Sequence, residues 1–228
     1  MHITRYKMAT FLAVLFHGIG LIGMLYLDKT FFIGLTAFNL LLSFGLLVFT
    51  QNNRPCIFYL FIIAVILLGI GVEIIGVNTG ALFGQYRYGT LLGYQVLGVP
   101  LIIGVNWFVI IYCCGISIHT LLTNTIGRMA LDASGRPLRL KALSVIIDGA
   151  TLAVFFDWVM EPVAMKLGYW RWDGAGEVPV YNYLCWFMVS VLLLSLFQIF
   201  KFDKQNKFAV NLLLIQLMFF LLLRTLMK

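Results

Sequence analysis

The chain has 228 residues, of which 62% are hydrophobic and 11% are charged, and its mean hydropathy is +0.99. A soluble domain is nearer half apolar and a quarter charged, so this composition excludes an ordinary soluble protein and indicates an integral membrane protein. The net charge of +7 comes from basic residues in short loops between apolar runs. That pattern signals membrane topology and argues against nucleic-acid binding.

Apolar runs long enough to cross about 30 Å of hydrocarbon predict an all-α protein with seven transmembrane helices, forming a single transmembrane domain over residues 1–228. The first run follows Arg5 and Lys7 without a small-residue cleavage site, so we expect it to stay as a span. The most polar loop is 123–139. The predicted spans are 9–27, 30–50, 56–76, 96–118, 141–162, 183–201 and 207–226.

The basic residues predict an orientation for these spans. Alternating the loops places ten of the 16 lysine and arginine residues on one side of the membrane and six on the other. The positive-inside rule then predicts a cytoplasmic N-terminus and an outer C-terminus. We expect a multi-pass protein of a bacterial or archaeal inner membrane. Glu73, Asp157, Glu161 and Asn182 all fall at the outer side. We therefore expect a lipid-accessible cavity near the outer leaflet, surrounded by the third to sixth spans.

Carboxyl groups within the apolar runs are the candidate functional residues. Asp157 and Glu161 are four residues apart and share one helix face. Two neighbouring carboxyls in a low dielectric do not both ionise cheaply, so one is expected to keep its proton and serve as an acid. Glu73 lies in another apolar run, where the default is function, with pairing to Arg87 as the structural alternative. Asp148 falls on about the opposite face from Asp157, and its role stays open.

The two longest outer segments, 77–95 and 163–182, are rich in glycine and aromatic residues. Glycines at every fourth residue from Gly76 to Gly84 fit either close helix packing or a broken element beside a ligand. The aromatic residues fit either an interfacial belt or a set of π faces that stabilise a cation. They are Tyr86, Tyr88, Trp158, Tyr169, Trp170, Trp172 and Trp186.

Cysteine and histidine residues predict no metal site. The four cysteines show neither metal-ligand spacing nor a disulfide framework, and are interpreted as small buried hydrophobic residues. The three histidines, His2, His17 and His119, are scattered along the chain and form no ligand set.

Two motifs carry a resemblance to a known family. The first is Glu73-x-x-Gly76-x-x-Thr79-Gly80-x-x-Phe83-Gly84-x-Tyr86-x-Tyr88, followed by Gly98-Val99-Pro100 and Trp107. The second is Asp157-x-x-x-Glu161-Pro162, followed by Gly168-x-Trp170-x-Trp172 and Pro179-x-x-Asn182-x-x-x-Trp186. Together, over about residues 70–190, they resemble the membrane carotenoid hydratases of the bisanhydrobacterioruberin hydratase type, a family of carotenoid biosynthesis proteins.

The resemblance implies a hydro-lyase acting as a hydratase, which adds water to the terminal double bond of an acyclic or monocyclic, lycopene-like carotenoid in the lipid membrane. The product is a tertiary alcohol, and the reaction requires no cofactor. Protonation of the alkene gives a tertiary cation that water captures, so the site needs an acid, a cation stabiliser and a positioned water. The implied substrate-binding residues are Thr79, Phe83, Tyr86, Tyr88, Trp107, Trp158, Trp170, Trp172, Asn182 and Trp186.

The carboxyl groups receive expected roles on this basis. Asp157 lies deeper in its span than Glu161 and is flanked by aromatic residues, so it is the first choice for the proton donor. Glu161 would orient the water or tune Asp157. Glu73 would be the second acid–base group or the base that takes a proton from the attacking water, with Asn182 and Tyr86 as hydrogen-bond partners.

Other functions fit the same residues. A carotenoid end-group cyclase or isomerase uses the same protonation without capture of water. A proton-coupled transporter or a lipid-binding membrane subunit also contains buried carboxyls and glycine-broken helices. Transporters often contain an internal repeat, and the sequence shows no convincing one.

Overall fold

The computed structural model describes residues 4–126, 137–173 and 176–227, which form eight helices and four short strands. Part of the predicted polar loop 123–139 lies outside the described residues, as does His2. The helices are α1 (Arg5–Tyr26), α2 (Lys29–Gly34), α3 (Thr36–Thr50), α4 (Cys56–Thr79), α5 (Ile102–Ile126), α6 (Pro137–Lys166), α7 (Val180–Ile199) and α8 (Lys207–Leu226). The strands are β1 (Tyr86–Tyr88), β2 (Gln95–Val96), β3 (Val99–Pro100) and β4 (Trp170–Trp172).

Six helices in the described part of the chain are long and apolar enough to cross a membrane, namely α1 and α4 to α8. The second predicted span, 30–50, is two helices rather than one. The chain turns at Leu35, directly after Gly34, which is a weak helix former. The Leu35 N–H donates to the carbonyl of Phe32, three residues earlier, as in a 3₁₀ turn. With 15 residues, α3 alone reaches only about 22 Å, so this crossing needs both helices.

The two ends of the described chain lie at opposite ends of the bundle. Asn211 donates to the Thr10 hydroxyl at 2.9 Å, which brings the start of α8 beside the start of α1. Lys166, at the end of α6, donates to the carbonyl of Met227 at 3.0 Å. This arrangement requires an odd number of crossings, in agreement with the seven predicted from the sequence.

The fourth and fifth predicted spans have different bounds in the structure. Residues 95–100 form the β2–β3 hairpin instead of helix, because Leu97 and Gly98 turn the chain with positive φ angles of 50° and 81°. In contrast, α6 continues through Pro162 to Lys166. Proline has no N–H, so the carbonyl of Trp158 loses its helical donor. Arg224 replaces that donor at 3.1 Å.

Helix α5 lies at the centre of the bundle, and its side chains Trp107, Phe108 and Tyr112 are fully buried. Gly69 lets α4 approach this helix closely, since a Cβ atom there would lie 2.8 Å from Cβ of Trp107. Close approach of small residues is the usual means of helix packing in membranes. It brings Glu73, one turn further along α4, within hydrogen-bonding distance of Trp107.

The two glycine-rich segments, 77–95 and 163–182, pair with each other through β1 and β4. The strands are antiparallel, with Tyr86 opposite Trp172, Arg87 opposite Arg171 and Tyr88 opposite Trp170. Because side chains alternate across a strand, the aromatic residues share one face and the two exposed arginines share the other. This small sheet closes the end of the bundle at which α4 and α6 end and α7 begins.

Candidate active site

Three carboxyl groups lie together beneath the β1–β4 sheet. Glu73, Asp157 and Glu161 are 4%, 0% and 3% exposed. All three line a cavity of about 20 Å³. A cavity of that size holds about one water molecule. Buried carboxyls in a membrane protein are costly unless donors surround them, and the sheet and α5 supply those donors.

Glu73 accepts three hydrogen bonds. Tyr86 and Tyr88 donate to Oε2 at 2.5 Å and 2.8 Å, and the indole N–H of Trp107 donates to Oε1 at 2.9 Å. The alternative pairing with Arg87 is wrong, because Arg87 bonds Asp173 on the exposed side at 3.3 Å. Three donors on one carboxyl group form a site adapted to a carboxylate.

The two tyrosines keep their protons. Burial, followed by the neighbouring Glu73 carboxylate, raises the pKa of Tyr86 and of Tyr88 well above the usual phenol value. Each hydroxyl therefore remains a donor to Glu73 over the whole neutral and mildly alkaline range.

Glu161 is held by the other strand of the sheet. Trp170 and Trp172 donate their indole N–H groups to Oε2 of Glu161 at 2.9 Å and 3.1 Å. Aromatic and arginine residues alternate in β1 and β4, so the aromatic side chains point to the same face. The two tyrosines of β1 therefore bind Glu73, and the two tryptophans of β4 bind Glu161.

Asp157 has fewer hydrogen-bond partners than the other two acids. Asn182 donates to Oδ2 of Asp157 at 2.8 Å, whereas Asn182 was expected to partner Glu73. Among the residues that the structure describes, Oδ1 of Asp157 is buried and has no hydrogen-bond partner. An unpaired carboxyl oxygen in a cavity is free to carry a proton that can be transferred.

Aromatic rings complete the wall of this cavity. Trp107 and Trp186 stack with ring centroids 4.0 Å apart and planes 19° apart, and Phe83 packs against Trp107 at 6.3 Å. The π faces of such rings attract positive charge, most strongly when water is excluded.

A second, apolar cavity of about 210 Å³ adjoins the first. It lies between α1, α3, α5, α6 and α8, not among the third to sixth spans where the sequence predicted the main cavity. Its lining includes the exposed side chains Ile19, Leu35 and Phe38, so it opens sideways towards lipid. The two cavities share the lining residues Ile103, Asn106, Met160 and Trp170.

Two expected binding residues lie outside both cavities. The Thr79 hydroxyl donates to the carbonyl of Ile75 at 2.6 Å at the exposed end of α4. Trp158 is 46% exposed and stacks under the Arg224 guanidinium at 4.3 Å. Asp148 is exposed on α6. It therefore lies apart from the acid cluster, the buried carboxyl groups of Glu73, Asp157 and Glu161. The remaining expected residues line the small cavity: Phe83, Tyr86, Tyr88, Trp107, Trp170, Trp172, Asn182 and Trp186.

Sequence reasoning missed Ile103, Asn106 and Met160. Asn106 precedes Trp107 in an apolar helix, and Met160 precedes Glu161, so both are next to residues that the sequence did single out.

Of the remaining histidines, His17 lies in α1 and His119 in α5. No group of three or more histidine, cysteine, aspartate or glutamate side chains is arranged to hold a metal ion within residues 4–126, 137–173 and 176–227.

The fold and the site define a multi-pass membrane protein with an acid cluster beside an apolar, lipid-facing cavity. The family described as "Carotenoid biosynthesis protein" matches residues 32–228, and the chain belongs to this family. Bisanhydrobacterioruberin hydratase of Haloarcula japonica is 28% identical over 146 residues, which are 63% of this chain. The match spans 45% of that protein's length. No solved structure matches the chain.

Proposed function

We propose that this protein is a carotenoid hydratase, a carbon–oxygen lyase that works in the direction of water addition. Its substrate is an acyclic or monocyclic, lycopene-like carotenoid, and its product is a tertiary alcohol. One observation carries the proposal: three buried carboxyl groups surround a cavity for one water, and this cavity adjoins an apolar cavity that opens to lipid. The hydratase relative supports the same chemistry.

The apolar cavity takes the end group of the substrate. With about 210 Å³ it is smaller than the 300–1,000 Å³ of pockets that enclose a drug-sized ligand. A long polyene therefore leaves most of its length in the membrane. Its terminal double bond reaches the acids past Asn106 and Met160, at the boundary between the cavities.

Protonation of the alkene is the first step. The acidic proton on Oδ1 of Asp157 moves to the CH carbon of the terminal double bond, while Asn182 holds the other oxygen. The π electrons form the new C–H bond, and the substituted carbon becomes a tertiary cation. General-acid catalysis of this kind contributes about two to four decades in rate.

The surrounding groups stabilise the cation. Glu73, which was first expected to act as a base, has both oxygens occupied by donors. We therefore assign it to electrostatic stabilisation, since a fixed carboxylate stabilises a developing positive charge without reorganisation. The stacked rings of Trp107 and Trp186 add their π faces.

Water capture completes the reaction. The oxygen of the water bonds to the cationic carbon, and the water loses one proton to Glu161. Both indole N–H groups bond Oε2 of Glu161, so we assign Oε1 to the water. Transfer of the proton from Glu161 to Asp157, one helical turn away, restores the starting state.

Expression in a host that accumulates lycopene tests the proposal. We expect a new carotenoid heavier by one water, and its absence with every acyclic carotenoid offered would reject hydration. A product with unchanged mass would instead indicate a cyclase or isomerase. A folded protein that gives no product, but binds or moves the polyene, would indicate a transporter or lipid-binding subunit.

The membrane orientation is also a proposal. We place the acid cluster at the outer leaflet and the N-terminus in the cytoplasm, on the positive-inside rule. Cysteine labelling in a Cys56→Ser background tests it, because the other three cysteines are buried. We expect Arg54→Cys to be labelled only from the cytoplasmic side and Tyr94→Cys only from outside. The reverse pattern would overturn the orientation.

A further inference from the structure

Asn106 on α5 lies at the boundary between the two cavities, and the steps assigned to the three acids do not use it. Its side chain is half-buried within an apolar helix, where an amide is costly unless it has a hydrogen-bond partner. Ile103, Asn106 and Trp107 are three and four residues apart and share one helix face. All three line the small cavity, so the amide belongs to the same wall as the Trp107 indole.

The boundary between the cavities offers few hydrogen-bonding side chains. Both cavities are lined by Ile103, Asn106, Met160 and Trp170. Ile103 and Met160 are apolar, and the indole N–H of Trp170 already donates to Glu161. None of the hydrogen bonds that hold the three acids involves Asn106. Among the described residues that line both cavities, Asn106 alone has a polar side-chain group that is not bonded to an acid.

The small cavity provides other partners for a water beside Asn106. Its volume of about 20 Å³ suits a single water, which needs two to four polar neighbours. Among the described residues, Oδ1 of Asp157 has no hydrogen-bond partner. Both indole donors of Glu161 bond its Oε2, not its Oε1. With the amide of Asn106, these two oxygens make three polar groups for one water.

We propose that Asn106 holds the water that captures the cation, and so decides between hydration and isomerisation of the double bond. This role rests on the proposed function, since only a hydratase needs a captured water. The amide oxygen of Asn106 accepts one O–H of the water, and Oε1 of Glu161 accepts the other. Both protons of the water are then bonded, and its lone pairs are left for the cationic carbon.

A cation that meets no water has a different outcome. A carbon next to the cationic centre loses a proton to Glu161, and the electrons of that C–H bond form a double bond. The product is an isomer of unchanged mass, or the original carotenoid. The proton that Asp157 gives is balanced by the proton that Glu161 takes, so isomerisation needs no other reactant.

Reaction of the purified full-length chain with lycopene in heavy water measures both outcomes. Asp157 then delivers deuterium, which marks the alcohol when water is captured and the unhydrated carotenoid when it is not. Asn106→Leu keeps a branched side chain but removes the amide. We expect the ratio of alcohol to deuterated, unhydrated carotenoid to fall about tenfold, as for one lost hydrogen bond to the reacting water. The control Met160→Leu changes the apolar wall at the same boundary, and should keep the wild-type ratio whatever its rate.

Three results would overturn the inference. One is an unchanged ratio in Asn106→Leu, and another is an equal shift of the ratio in Met160→Leu. The third is a clear fall in the melting temperature of Asn106→Leu with loss of both products, because the amide would then serve the fold. We expect instead a melting temperature that is unchanged or higher, since the variant replaces an amide in an apolar helix by an apolar group.

A crystal structure of the purified protein gives a readout that does not depend on activity. We expect a water within hydrogen-bonding distance of the Asn106 amide in the wild type and not in Asn106→Leu. Absence of this water from the wild type would overturn the inference. A water on Asn106 in a protein that hydrates no carotenoid would support the water site while rejecting the hydratase. Alcohol formed by Asn106→Leu in the wild-type ratio would do the opposite.

Discussion

Asn182 on α7 donates a hydrogen bond of 2.8 Å to Oδ2 of Asp157 on α6. The bond fixes one carboxyl oxygen. The other is buried and has no partner among the described residues, and Asp157 lines the small cavity. One helix thus carries the proposed proton donor, and the next one holds its carboxyl group.

Asp157→Asn should abolish proton donation while preserving the shape of the side chain and its contact with Asn182. We expect the hydration rate to fall by about two to four decades, with normal protein yield, measured on purified protein. Asp148→Asn makes the same change on the exposed face of the same helix and should keep the wild-type rate. Equal rates for Asp157→Asn and wild type would remove Asp157 from the mechanism.

Tyr88→Phe should destabilise the protein through Glu73. The phenol donates to a buried carboxylate at 2.8 Å, and hydrogen bonds to charged groups contribute about 1.5–3 kcal/mol. Denaturation in detergent should show a loss of that order, and a much smaller loss when Glu73→Gln is already present. The exposed Tyr94→Phe serves as control. Additive losses in the double variant would mean that the two residues are not coupled.

Alkaline pH should weaken the fold through the same tyrosines. Their pKa is raised in the folded protein, so their contribution to stability is complete below the unfolded value of about 10. It is lost as the pH rises above that value towards the folded pKa, since the unfolded chain then holds fewer protons. We expect the melting temperature of Tyr86→Phe to fall less than that of the wild type between about pH 9 and 11. Parallel curves would contradict this.

Gly20 should control access from the lipid to the apolar cavity. It lies in the cavity wall, and a Cβ atom there meets only Phe219, at the ordinary contact distance of 3.8 Å. Gly20→Ala should therefore be tolerated, whereas Gly20→Leu should fill the opening and lower hydration of a long carotenoid. Gly18→Leu is the matched control, because it has open space around it and does not line the cavity. Full activity of Gly20→Leu would place the substrate route elsewhere.

Helix periodicity made part of the site predictable. The four-residue spacing of Asp157 and Glu161 places both on one face of a helix, and hydropathy places Glu73 at the same end of the bundle. Both features are local in sequence. The tyrosine and tryptophan donors were named as candidates from their aromatic character, not from any predicted contact.

The pairing of β1 with β4 was not predictable in the same way. In Tyr86–Tyr88 and in Trp170–Trp172, aromatic residues alternate with an arginine over only three residues. An alternation this short does not by itself indicate a strand. The partner of each strand depends on folding of the helices between them. The apolar cavity was missed for a related reason, because it forms where α1 and α8 pack, and Thr10 and Asn211, which join these helices, are 201 residues apart in sequence.

Hydration in water labelled with oxygen-18 is the most direct test of acid-catalysed water addition at Asp157. Purified protein is incubated with an acyclic carotenoid in labelled water, and the product is examined by mass spectrometry. We expect a tertiary alcohol that contains one labelled oxygen, formed by the wild type and not by Asp157→Asn. A product whose oxygen comes from air, or labelled alcohol formed equally by the variant, would contradict it.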